Sequence, residues 1–185
     1  VLTAAREELG IKRGFMDRVS QVYEGCVFMD LAEAYVKARG HGRYERIDPA
    51  FLPPLYLAYR RNSAKISGRV LSGFRSRFDR GDMYVVAAVG RLAELAALGR
   101  DALISGHAER LFDLMNETFN ILRTLMDIRP ADLEMIEAAR ACGAAAKFAG
   151  SGGSIVGVFK GEESYGKLKA ALEPLGAVVL KPRMI

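Results

Sequence analysis

Two short stretches of this chain carry residues whose types and spacing could do chemistry. In GFMDRVSQVY, Asp17 and Arg18 stand side by side at the start of an amphipathic run. In AKFAGSGGSIVGVF, Gly150-Ser151-Gly152-Gly153 puts four small residues in a row between two apolar runs. A carboxylate poised at a helix N-terminus can take a proton from a substrate hydroxyl, and the guanidinium beside it can hold its charge or touch an anion. Asp is also a favoured N-cap, and spacing alone favours the capping role. Small residues let backbone N–H groups converge on phosphate oxygens without obstruction. A Walker loop would add a lysine and a hydroxyl after its second glycine, and a dinucleotide fingerprint would place GxGxxG before a helix; neither pattern is present. Taken alone, the glycine stretch reads as a tight hairpin turn more readily than as a ligand site.

Other candidates are weaker. Lys147 directly precedes the turn and could approach phosphate, although a strand lysine ordinarily faces outward. His41, between two glycines, reads as an exposed turn residue, and His107 as a solvated one near a helix start; neither has a partner at catalytic or ligand spacing. No Ser-His-Asp or Cys-His order suggests a hydrolase, and no acidic cluster marks a metal site, so no metal ligand is assigned. Cys26 and Cys142 lack CxxC spacing and sit in apolar surroundings, which predicts two buried thiols.

The elements that must position these residues follow from periodicity. Residues 2–9 carry a helical pattern stopped by Gly10, and a second short helix begins near Met16 or Asp17. GCVFMDL predicts a strand, residues 32–47 are mixed with a turn at Gly40-His41-Gly42, and LYLAYR after Pro53-Pro54 predicts another strand. Helices are expected over 70–78 and 83–98, and Leu111, Met115, Phe119, Leu122 and Met126 form one apolar helical stripe. Pro130 opens a further helix, packed by Leu133, Ile136 and Ala139 and ended by Gly143. The tail predicts strand, glycine turn, strand over 154–159, helix over 163–175 and strand over 177–181. A sheet with helices on one face, an α+β arrangement, accommodates this order, with a boundary between domains 1–50 and 51–185.

With 185 residues, half of them apolar, the chain can bury one good core or two small ones. Its apolar runs fall far short of the roughly 20 residues a spanning helix needs, which predicts no membrane partner. The start lacks the layout of a secretory signal, so a cytoplasmic location is expected, and it lacks an initiator Met, so a processed or shortened chain is expected. The formal charge of +5 suits a nucleic acid or a small anionic ligand equally. In the basic run SGRVLSGFRSRFDR, charges alternate with apolar residues as on a solvated helix face, without interleaved aromatics, which argues against nucleic acid.

Four stretches taken in order, MDRVSQVYEGCVFMD, LPPLYLAY, DLMNETFN and AAAKFAGSGGSIV, resemble the GHMP small-molecule kinases, and among them the glucuronokinase-like sugar-1-kinases. The resemblance spans nearly the whole chain. It implies the end of an N-terminal α/β domain followed by a C-terminal ferredoxin-like α+β domain. It further implies Asp17 as the catalytic carboxylate and Gly150, Ser151, Gly152 and Gly153 as a loop on the phosphate side of the site. The substrates implied are ATP with Mg2+ and a sugar, such as glucuronic acid phosphorylated at its anomeric hydroxyl. A carboxylate-bearing sugar needs a cation, for which Arg18, Arg60, Arg61 and Lys65 are candidates. The family's serine-rich ATP loop is not in this sequence, which implies that a preceding N-terminal segment, holding also the Mg2+ ligands, is required for activity and that the 185 residues alone are inactive. Galactokinase-, homoserine- or mevalonate-kinase-like activity, and a non-catalytic ligand-binding module, are the alternative readings.

Overall fold

Aromatic and aliphatic residues run through LYLAYR and SIVGV, and these segments lie paired at the centre of the larger of two compact units. The chain is described here from a computed structural model covering residues 15–61, 69–150 and 152–183. The predicted helix over 2–9, together with Gly14, Lys65 and Ser151, lies outside the described residues. The division falls after Phe51, and the second unit runs from Leu52 to Arg183.

In the first unit, helix α1 (Phe15–Tyr23) leads into strand β1 (Cys26–Asp30), helix α2 (Glu33–Arg39) and strand β2 (Arg43–Ile47). The strands are antiparallel, with Cys26 opposite Ile47 and Asp30 opposite Arg43. Glycine is required at two points of this path. Gly40 ends α2 at φ 75°, and a Cβ on Gly42 would lie 2.7 Å from the Asp30 carbonyl oxygen and 2.6 Å from a Leu31 methyl. The register sets Arg43 against Asp30, and the Ala32 N–H together with that guanidinium holds the Asp30 carboxyl below its usual range.

The second unit opens with strand β3 (Leu55–Arg60) and continues through helices α3 (Arg69–Asp79), α4 (Met83–Ile104), α5 (Leu111–Leu125) and α6 (Pro130–Ala141). Strands β4 (Lys147–Phe148) and β5 (Ser154–Val158), helix α7 (Gly161–Leu172) and strand β6 (Ala177–Leu180) complete it. The sheet order is β4-β5-β3-β6 with antiparallel neighbours throughout. Taking the four strands in chain order, the sheet reads 4-1-3-2 from the β6 edge, which is the ferredoxin-like split βαβ topology. Strand alternation turns Tyr56, Ala58, Phe148, Ile155, Ala177 and Val179 toward one face. There they form a single core with Phe119, Met135, Ile136, Ala139, Leu168 and Leu172.

Local signals explain the helix ends. Asp82 accepts from the N–H groups of Tyr84 and Val85 and so caps α4, while Pro130 begins α6 and Gly143, at φ 75°, follows its end. The apolar stripe of α5 stops one residue short of expectation. Met126 is the C-cap, extended at φ −141°, with its N–H still bonded to the Leu122 carbonyl. The two thiols are half-buried rather than buried: Cys26 begins an edge strand, and Cys142 caps α6 with its sulfur 3.6 Å from the Lys167 carbonyl oxygen.

Candidate functional site

The first unit carries Asp17. Helix α1 packs through Val19, which is buried, and turns Met16, Asp17 and Val22 outward. Because the helix starts at Phe15, Asp17 lies inside its first turn and is not the capping residue that spacing favoured. Its carboxylate is exposed at the end where helix N–H groups lack intrahelical partners, and Arg18 beside it is half-buried. At the other end of α1, a cleft of about 280 Å³ opens between Tyr23–Cys26 and Arg46–Pro49. Two successive left-handed residues, Glu24 and Gly25, shape its wall, and neither Asp17 nor Arg18 lines it. Nothing in the sequence pattern singled this cleft out, since its walls come from segments some twenty residues apart in the chain.

The second unit carries the glycine turn, which joins β4 to β5 as a hairpin closed by the Ala149 N–H bonding the Ser154 carbonyl at 3.1 Å. Gly152 and Gly153 both have positive φ, 114° and 78°, and the Gly153 carbonyl accepts from the Arg60 N–H at 3.3 Å. At Gly150 a Cβ would meet nothing within 4 Å, so that side of the turn is open. At Gly152 a Cβ would lie 2.9 Å from an Asp132 carboxylate oxygen. Asp132 is 3% exposed, and Arg129 grips it with Nε on one oxygen and a terminal nitrogen on the other, each at 2.9 Å. Sequence reasoning missed both residues, because an acid in the first turn after a proline looks like ordinary helix-end electrostatics.

Edge strand β4 is held from two helices. The Asn116 side-chain oxygen accepts from the Ala146 N–H at 3.1 Å, while Arg140 donates to the Ala146 carbonyl at 3.2 Å and the Asn116 carbonyl at 2.9 Å and lies over the Phe119 ring. Asn116 belongs to the DLMNETFN stretch, from which the sequence reading assigned no role to this side chain. One residue earlier, the buried Tyr56 hydroxyl donates to the Ala145 carbonyl at 2.9 Å, and burial holds that hydroxyl well above the usual phenol range. Gly157 leaves room for this contact: a Cβ there would lie 1.7 Å from the same carbonyl oxygen.

One expected side-chain environment is corrected, and the structure describes those of four further residues. Lys147 is not an outward, solvated lysine: it is half-buried, its ammonium donates to the Phe148 carbonyl at 3.1 Å, and burial lowers its pKa. Arg60, a candidate for a substrate carboxylate, is engaged with Glu134 at 3.0 Å, whereas Arg61 is exposed. His107 is exposed beside Glu109 at 3.5 Å, and exposed His41 stands against the Tyr35 and Tyr44 rings. Among the described residues, no three or more His, Cys, Asp or Glu side chains are grouped to hold a metal ion, and no helix is long and apolar enough to cross a membrane.

Residues 100–177 match the family model described as GHMP kinases C terminal. The chain is 40% identical over 159 residues to Glucuronokinase 1 of Arabidopsis thaliana, covering 84% of this chain and 44% of that protein. It is 41% identical over 156 residues to Probable glucuronokinase 2 of the same plant, covering 82% of this chain and 42% of the relative. The chain thus spans less than half the length of the curated relatives it matches. Among solved structures, the Lin0012 protein from Listeria innocua aligns over 94% of this chain and 56% of its own, with TM-score 0.76 and 18% identity. Mevalonate kinase from L. major, solved with R-mevalonate, aligns over 92% of this chain and 53% of its own, with TM-score 0.73 and 18% identity. These likenesses establish the fold, residues 100–177 match the GHMP kinase C-terminal domain, and most of the chain is similar to the plant glucuronokinases.

Proposed function

We propose that the protein is a cytoplasmic, ATP-dependent sugar kinase that phosphorylates the anomeric 1-hydroxyl of glucuronic acid or a closely related sugar acid. The observation that carries this reading is the 40% identity to a glucuronokinase across 84% of the chain. In this mechanism Asp17 accepts the proton of the sugar hydroxyl as its oxygen bonds to the γ-phosphorus of ATP. The bond from that phosphorus to the bridging oxygen breaks, and ADP leaves. Phosphoryl transfer asks the protein chiefly to position reactants and stabilise charge, so one exposed carboxylate on a helix suits the task.

The glycine turn is assigned to the phosphate side of the site. Its fit to that task rests on the space at Gly150, where a Cβ would meet no atom within 4 Å outside its chain neighbours. Arg18 is the proposed partner of the substrate carboxylate. The described His, Cys, Asp and Glu side chains do not group as Mg2+ ligands, and the ligands of that ion are assigned to residues outside this segment.

A coupled ADP-release assay of the full-length protein across glucuronate, galacturonate, galactose and mevalonate tests the reading. Turnover with glucuronate well above the others is expected. Preference for mevalonate or galactose, or no turnover with any of them, would overturn it.

A further inference from the structure

We infer that Asp132 is a positioning residue for the glycine turn: its carboxylate, fixed by Arg129, is the seat on which Gly152 rests. The inference builds on the reading that this turn serves the phosphate side of a kinase site. Among the described residues, Asp132 is the charged side chain withdrawn from solvent. Burying a carboxylate is costly, and a hydrophobic pair of similar volume would hold two packed elements as well or better. Stability alone therefore does not call for an ion pair at this place.

The geometry shows what the pair does instead. Arg129 donates to both carboxylate oxygens at 2.9 Å, which fixes the plane of the group and leaves further lone pairs on each oxygen. One of those oxygens occupies the place that a side chain on Gly152 would need, 2.9 Å from its ideal Cβ. Gly152 has φ 114°, so its conformation and its contact both require glycine. The start of α6 and the turn are thereby locked at one point by a rigid group of fixed shape. The guanidinium also offsets the carboxylate charge, so the seat does not repel an anion held on the open side of the turn.

The test is a double-mutant cycle in the full-length protein. Gly152→Ala alone drives a methyl group into the carboxylate, and Asp132→Ala alone removes the seat. Each is expected to raise the KM for ATP about ten- to hundredfold, with a smaller change in kcat. Together they are expected to cost much less than the product of the two, since the obstructing oxygen is gone. Asp132→Asn, which keeps the shape, should recover most of the KM lost in Asp132→Ala. Independent, multiplicative effects, or an unchanged KM in both single variants, would overturn the inference. Amide hydrogen exchange at Gly152 and Gly153 reads the seat without catalysis, with exchange about tenfold faster than wild type expected in Asp132→Ala and close to wild type in Asp132→Asn. Wild-type protein without kinase activity, together with faster exchange in Asp132→Ala than in wild type, would sink the kinase reading and keep the seat; equal exchange rates in wild type and Asp132→Ala would sink the seat.

Discussion

Asp17 and Gly152, the residues proposed for chemistry in the two units, are held in opposite ways. Asp17 stands exposed on a nine-residue helix that buries Val19 beneath it. Gly152 belongs to a hairpin fixed at several points: Asp132 beneath Gly152, the Arg60 N–H on Gly153, the closing bond from Ala149 to Ser154, and the Asn116 and Arg140 clamp on Ala146. The contrast follows from the chemistry proposed for each. A base must reach a substrate hydroxyl and needs access, whereas backbone donors facing phosphate are useful only if they are already in place.

The clamped hairpin of the second unit should respond most strongly to substitution. Gly157→Ala should be the most damaging change, because its methyl would meet the Ala145 carbonyl, a backbone atom that cannot step aside cheaply. A loss of about 3 kcal/mol or more is expected from urea unfolding. Asn116→Ala leaves the Ala146 N–H without its side-chain acceptor and should cost about 1–3 kcal/mol by the same measurement. It should also loosen the turn while leaving the Asp17 helix unchanged by amide exchange.

The gentlest probe is pH. Burial lowers the folded-state pKa of Lys147 below its unfolded value, so between those two values the unfolded chain binds the extra proton. Stability should therefore rise as pH increases through the folded value toward the ordinary lysine range, and fall back as pH decreases. Lys147→Met should be more stable than wild type at neutral pH and should lose this alkaline rise, as read from unfolding midpoints across pH. Identical pH profiles would place Lys147 in solvent and undo that part of the contrast.

The strands and helices of the larger unit were largely legible in the sequence, since periodicity reports which residues face a core. LYLAYR, the α5 stripe through Phe119, and the Pro130 and Gly143 punctuation of α6 all lie where their patterns suggested. Side-chain environments were less legible. Lys147 was read as outward because strand alternation says which face a residue takes, but not how deeply that face is covered. Asp132 escaped notice because its importance lies in a contact with Gly152, twenty positions away, and local spacing carries no record of such contacts. The α+β class and the glycine turn came from residues close in sequence, whereas the seat beneath the turn exists only once the chain has folded.

The proposed phosphoryl transfer depends most directly on Asp17 as the carboxylate that receives the substrate proton. The decisive measurement is kcat of Asp17→Asn in the full-length protein with glucuronate and ATP, alongside circular dichroism to establish that the fold is intact. A fall of about 10²- to 10⁴-fold with unchanged spectra is predicted. Turnover near the wild-type value in a normally folded variant would contradict it.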